Sequence, residues 1–308
     1  MIRRFLVAAL LSLMAGCGGG SGGNGPTAPT GYTGNTAQAE ITPVNAKAIA
    51  VGAYSGGELA TSFGMLKPTN TASAPNQPML HEVVQTLQDS MASLSPAQKQ
   101  TAKVASASAS AQDTVYGYSG SFSYAFTASD SGAASGTIVY NAYKSDSDSA
   151  VIDGTVSFSA TYIQSTGEFS RFSMRFTGLT ASAVGENVAM SGTVVVSISG
   201  YTSTTTLNML LTDNIAQRTY GLSNYHMVVT ETTNGTSLTL SGTYYDSANG
   251  YVVISTVTPV TTSYLSDEPD AGVLLCSGSN GTRARITFTG NGYIVETDSG
   301  TGTFVVVP

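Results

Sequence analysis

"DGTVSFSATY", residues 153–162, decides the fold. Val156, Phe158, Ala160 and Tyr162 alternate with Thr155, Ser157, Ser159 and Thr161, a period of two that no helix can gather onto one face. The same beat extends in both directions. Upstream, Tyr116, Tyr118, Phe122, Tyr124 and Phe126 share one parity, with small residues between them. Downstream, Phe172, Met174 and Phe176 alternate with Arg171, Ser173, Arg175 and Thr177. The pattern continues through Val194/Val196/Ile198, Leu207/Met209/Leu211, Leu238/Leu240/Tyr244 and Ile286/Phe288. An apolar face backed by a polar one belongs to antiparallel sheets with one side covered. Asn234-Gly235, Asn249-Gly250, Asn280-Gly281 and Asn291-Gly292 supply tight turns. Roughly a dozen strands fit between residues 113 and 308.

A weak echo supports a meander. "DGTVSFSATY", "SGTVVVSISGY" (191–201) and "SGTYYDSANGY" (241–251) each set Gly-Thr before an alternating or aromatic run. Gly154, Gly192 and Gly242 are unequally spaced, which argues against a fixed-period solenoid. The expectation is a mainly β fold: one long antiparallel meander, curled or partly closed, because so long a one-faced sheet must curl or be covered.

The cover is sought upstream, where residues 39–112 read as a helical segment and linker. Thr42-Pro43 offers an N-cap followed by proline at the first helical position, with Gly56-Gly57 expected to interrupt the helix that follows. In "PMLHEVVQTLQDSMASL" (78–94), Leu80, Val83, Val84, Leu87, Met91 and Leu94 fall on one helical face. That second helix is expected to cover the sheet's apolar side.

The first 38 residues read as an address. Arg3 and Arg4 precede the apolar run Phe5–Met14, and the small residues Ala15 and Gly16 sit just before Cys17. This is the layout of an export signal over residues 1–16. The run is shorter than the ~20 residues a bilayer-spanning helix needs. An ordinary secretory signal with a chance cysteine is the plainer alternative. Residues 17–38 are mostly Gly, Ser, Thr, Asn and Pro and read as a flexible tether.

Net charge is −7, and without Arg3 and Arg4 the 12 basic residues fall to 10 against 19 acidic ones, near −9. Such a surface disfavours nucleic acid, which wants clustered Lys and Arg. Only 10% of residues are charged, so Ser and Thr must carry much of the solubility. Cys276, in the apolar run Val273–Cys276, reads as a buried strand thiol.

Candidate chemistry is thin. "HEVVQ" (81–85) has Gln85 where a helical zinc motif needs its second histidine, and His226, the other histidine, lies in a strand pattern. "GYSGS" (117–121) misses the nucleophile-elbow spacing by one position. Asp146/Asp148 and Asp267/Glu268/Asp270 offer oxygen ligands without the spacing of a helix-loop-helix calcium loop, and read as solvated loops. No catalytic set, metal site or cofactor motif emerges, and an enzyme is not expected.

Leu13-Met14-Ala15-Gly16-Cys17 resembles the lipobox of bacterial lipoproteins. The resemblance implies cleavage before Cys17 and acylation of that residue as the lipid attachment site. Gly18, where an aspartate would retain such a protein at the inner membrane, implies the outer membrane. "ITPVNAKAIAVGAY" (41–54), "LSGTYYDSANGYVVISTVTPV" (240–260) and "NGTRARITFTGNGYIVETDSGTGTFVVV" (280–307) are similar to segments of Gram-negative lipoproteins that have no assigned activity. Relatives in that group tend to end on an acidic calcium-type loop. Here it is "ETDSGTGT" (296–303), with Glu296 and Asp298 its only carboxylates, which puts a calcium role in doubt.

Three functions compete. The leading one is a lipid-anchored envelope protein, uncharged by any catalytic duty, acting as a structural or interaction module for an envelope macromolecule. The second is a periplasmic carrier of lipid or another hydrophobic ligand, with the aromatic row Tyr116–Phe126 lining a cavity under a helical lid. That architecture resembles lipoprotein and lipid chaperones. The third, an outer-membrane barrel, lacks a C-terminal aromatic and tryptophan girdles.

Overall fold

The computed structural model describes residues 25–64, 83, 85–87, 90, 109–129, 132–162, 169–266 and 268–308. Within them lie one long helix, α1 (Ala46–Gly64), and fourteen strands. In chain order the strands are β1 (Ala109–Tyr116), β2 (Ser119–Ala128), β3 (Ala133–Lys144), β4 (Val151–Tyr162), β5 (Phe169–Ala183), β6 (Glu186–Ser199) and β7 (Thr202–Asp213). They continue as β8 (Arg218–Thr232), β9 (Gly235–Asp246), β10 (Gly250–Ser263), β11 (Ala271–Ser277), β12 (Arg283–Phe288), β13 (Tyr293–Asp298) and β14 (Val305–Val306). Every neighbour in sequence is a neighbour in the sheet, every pair is antiparallel, and β1 does not meet β14. The sheet is an open meander, as the alternation implies. "PVTTSYLSDEPDAG" (259–272), the longest linker-like stretch of the sequence, is sheet at both ends: β10 continues through Pro259 to Ser263, with register shifts around the proline, and β11 resumes at Ala271. The register shift accommodates a residue that has no N–H to give the ladder.

From Phe122 onward the inner face is filled by the expected parity, while Tyr116 and Tyr118 of the same aromatic row are exposed. Phe126, Phe158, Met174, Val194, Leu207 and Tyr225, on β2 and β4 to β8, are all buried. Residues beside them in sequence, such as Thr127, Ser157, Arg175, Thr206 and His226, face outward and are exposed or half-buried. The Gly-Thr echoes mark where the strands bend. Gly154, Gly192 and Gly242 all have positive φ, and each presses against the backbone of an adjacent strand beside a break in register. Extra residues inserted there increase local twist, which is how a long sheet curls.

What it curls around is α1. Consecutive helical residues are 100° apart, so Gly52 and Tyr54 point to nearly opposite sides. Gly52 abuts the Tyr244 ring on β9, while the Tyr54 ring lies 5.0 Å from Phe288 on β12. Both sides of the helix therefore meet sheet. Ala46, Ile49, Ala50 and Ala53 are buried, and the Tyr225 hydroxyl on β8 donates a hydrogen bond to the Ala53 carbonyl. The helix runs unbroken through Gly56 and Gly57, contrary to the expected interruption. Gly56 is needed for closeness: a β-carbon there would stand 2.5 Å from Leu222 Cδ2. Thr42 starts the helix through backbone, its carbonyl accepting the N–H groups of Asn45 and Ala46, while the Asn45 side chain accepts the Thr42 N–H.

Of the second amphipathic stretch, Val83 and Leu87 are buried, and Ser90 accepts a hydrogen bond from the Tyr140 hydroxyl of β3 at 2.8 Å. Leu80, Val84, Met91 and Leu94 lie outside the described residues. The strand pattern begins at Ala109, four residues before the expected boundary at 113.

Residues 25–38, read as tether, lie across the outer face of β7–β10. The Tyr245 hydroxyl donates to the Pro26 carbonyl at 2.6 Å and Ser223 Oγ donates to the Thr27 carbonyl at 2.9 Å. The Tyr32 ring packs 5.3 Å from Tyr245, and Gln38 bridges in parallel to Tyr251. Composition this rich in Gly, Pro and Thr cannot build a core of its own, but its carbonyls accept hydrogen bonds from a surface already formed.

Candidate functional site

Most of the chemistry-bearing residues singled out from sequence turn out to hold the fold. Asp146 closes the β3–β4 turn: its Oδ1 accepts the backbone N–H of Asp148 at 2.8 Å and of Ser149 at 2.9 Å. These contacts and a hydrogen bond from Ser149, the largest influence, hold its carboxyl below the ordinary range. Asp270 accepts the Ser263 N–H at 2.6 Å, and Asp213 and Asp246 cap the turns that follow their own strands in the same way. Aspartate at a turn start does this because its short side chain reaches the N–H groups two and three residues on.

The C-terminal acidic loop is tied to two arginines. Arg283 donates to Asp298 Oδ2 at 2.6 Å, and Arg285 grips both oxygens of Glu296 at 2.8 Å. Asp298 Oδ1 also accepts the N–H groups of Gly300, Thr301 and Gly302. The Arg283 hydrogen bond first, and the loop N–H groups after it, hold the Asp298 carboxyl below the usual carboxylate range; Arg285 does the same for Glu296. The Phe304 ring lies under both guanidinium groups, at 5.2 and 4.2 Å. Both carboxylates are thus spent on protein partners.

Cys276 is buried on β11 beneath α1, and burial pushes its thiol up to about 12. His226 is exposed on β8, opposite Thr206 and Ser241. Gln85 is half-buried; Cys17, His81 and Asp267 lie outside the described residues. Among the described residues no three of His, Cys, Asp and Glu come together as a metal cage.

A different surface stands out, on the half of the outer face that the N-terminal strap leaves bare. Across β1–β5 this face is grooved. A groove of about 400 Å³ is bounded by Thr127, Ser129, Ser135, Ser159, Thr161 and Arg171. Through Thr127 and Ser135 it continues into a larger one of about 790 Å³ that adds Gln112, Thr137 and Ser157. Inner-parity residues such as Phe126 and Phe158 contribute only backbone to the floor, since their side chains are buried. The lining mixes hydroxyl and amide groups, able both to donate and to accept, with small side chains such as Ala125, Ala128, Ala133 and Ala160. No family model, curated protein or solved structure matches the chain. The site must therefore be read from its own chemistry.

Two exposed guanidinium groups border it. Arg171 and Arg175 share the outer face of β5, and among the described residues neither has an ion-pair or hydrogen-bond partner. The other arginines of the sheet are engaged: Arg283 and Arg285 as above, and Arg218 by a hydrogen bond with Tyr220 that raises its pKa. Sequence parity already placed Arg171 and Arg175 on the polar face. That none of their partners on the adjacent strands is acidic required the sheet's register.

Proposed function

We propose that the protein is a lipid-anchored module of the Gram-negative envelope, held at the outer membrane through Cys17, whose folded body serves a structural or interaction role with another envelope macromolecule. The observation that carries this reading is how closely α1 seats in the curl of β6–β13. A carrier needs an empty apolar space of ligand size. There a β-carbon on Gly52 or Gly56 would stand within 2.5 Å of Tyr244 or Leu222, and on β2–β4 the inner side chains Phe122, Phe126, Tyr140 and Phe158 are buried. The surface left for a partner is the outside, where the trough across β1–β5 offers a groove. No helix among the described residues is long and apolar enough to cross a membrane, and the proposed attachment is through the lipobox-like cysteine.

Two measurements test the proposal. Cys17→Ser is expected to leave the precursor unprocessed or to release the chain from membranes; a variant that partitions like processed wild type would refute the anchor. Native mass spectrometry of the full chain, released from detergent, is expected to show the acylated polypeptide alone. A stoichiometric, non-covalent lipid carried along with it would overturn the module reading in favour of the carrier.

A further inference from the structure

We infer that the face of β5 carrying Arg171 and Arg175, with the trough beside it, binds an acidic polysaccharide. The inference rests on the interaction-module reading and names the partner's chemistry.

Three observations converge. The first is charge without a counter-charge. On β4 the outer-face neighbours of this pair are Ser157, Ser159 and Thr161, and on β6 they are Thr193, Val195 and Ser197. None is acidic, in a chain whose net charge is −7. Among the described residues neither guanidinium group has a carboxylate partner, which leaves their charge open to an external anion. Arginine suits the role because its planar fork matches carboxylate and phosphate oxygens two at a time.

The second is spacing. Four residues along one strand put the two Cα atoms roughly 13–14 Å apart, on the same face and flanking Ser173. A single small anion cannot span that distance, whereas an extended polymer with repeating acids can engage both. The third is what surrounds them. The trough ending at Arg171 sets the hydroxyls of Thr127, Ser135, Ser159 and Thr161 among the methyl groups of four alanines, with no large apolar side chain in this part of its lining. Hydroxyls interspersed with methyl groups complement the hydroxyls and C–H faces of a sugar chain.

The protein, anchored in phosphatidylcholine vesicles, is titrated with alginate, a linear polyuronate, with neutral dextran as control. Alginate is expected to bind, more weakly as salt rises, and dextran is not. Arg171→Ala/Arg175→Ala should weaken alginate binding about tenfold or more, as loss of two charge-assisted contacts requires. Lys47→Ala/Lys144→Ala removes the same charge away from the trough and should change it less than about twofold. Equal losses in the two double variants would reduce the effect to net charge and overturn the inference. So would capture of phosphatidylglycerol vesicles in preference to alginate through the same arginines, which would make the ligand a membrane surface. A chain that anchors yet ignores alginate fails this inference and leaves the module reading standing. A chain that does not anchor fails the parent reading, and its alginate binding free in solution still decides the inference.

Discussion

If α1 fills the curl, the interface should resent both subtraction and addition. Ile49 is 1% exposed and packs in the main core cluster. Ile49→Ala removes about three methylene equivalents, worth about 0.8 kcal/mol each before any cavity is counted. With the cavity the expected loss is about 2–5 kcal/mol. Gly52→Ala works in the opposite sense. On a helix that merely lay over open space, alanine would stabilise by about 1 kcal/mol through propensity alone. Here the new β-carbon meets the Tyr244 ring, itself buried, and overpacking costs about 1–3 kcal/mol. The propensity gain is cancelled or reversed. Val44→Ala is the control, at 94% exposure two residues before the helix, and should stay within about 0.5 kcal/mol of wild type. Urea unfolding followed by tyrosine emission is the assay, since the chain has 16 tyrosines and no tryptophan. An Ile49→Ala loss below about 1 kcal/mol, together with a stabilising Gly52→Ala, would show a loosely seated helix and refute the reasoning.

Other outcomes follow from the same structure. Cys276 should resist a thiol reagent at pH 8 in the folded protein and react fully in denaturant, because burial holds the thiol at about 12; ready labelling of the native state would contradict its placement. Glu296 and Asp298 have folded pKa values below their ordinary 4.5 and 3.8, so the stability they contribute is whole above those values and drains as pH falls through the lower, folded ones. Denaturation midpoints of wild type and Glu296→Gln should therefore differ at pH 7 and converge as the pH falls below the lowered folded value of Glu296; a gap that persists once the folded carboxylate is protonated would mean its charge is not what matters. Tyr245→Phe removes the hydrogen bond to the Pro26 carbonyl and should speed proteolysis within residues 25–38 while leaving the sheet's unfolding midpoint nearly unchanged. Unaltered nicking would mean the strap is held by its remaining contacts.

The sheet was legible because burial on one side imposes a period of two that survives in every strand, from Phe122 to Phe288. Its turns were legible because Asn-Gly pairs carry their own backbone preference. The plug was not. Gly52 and Gly56 read as helix breakers when only local propensity is weighed, and their value lies in contacts with Tyr244 and Leu222, some 170–190 positions later. The strap was hidden for a related reason. Its partners Ser223 and Tyr245 lie about 200 residues away, and nothing in "PTAPTGYTGN" (26–35) distinguishes carbonyls that will be docked from carbonyls left in water. As for the trough, parity showed its polarity at once, while the groove itself forms only across five strands together. The glycine echoes signalled the bends without revealing their purpose.

The strictly sequential strand order has an evolutionary consequence. Because every strand pairs only with the strands before and after it, a whole hairpin can be lost or duplicated without orphaning any other ladder. The helix packs on β6 through β13 and makes at most slight contact with β1–β5, which meet the second helical stretch at Tyr140. Changes in strand number are therefore tolerable at the β1 end and ruinous in the middle. The half of the sheet that bears Arg171, Arg175 and the trough is the half free to lengthen, shorten and diversify, while the half wrapped on α1 is bound to keep its count.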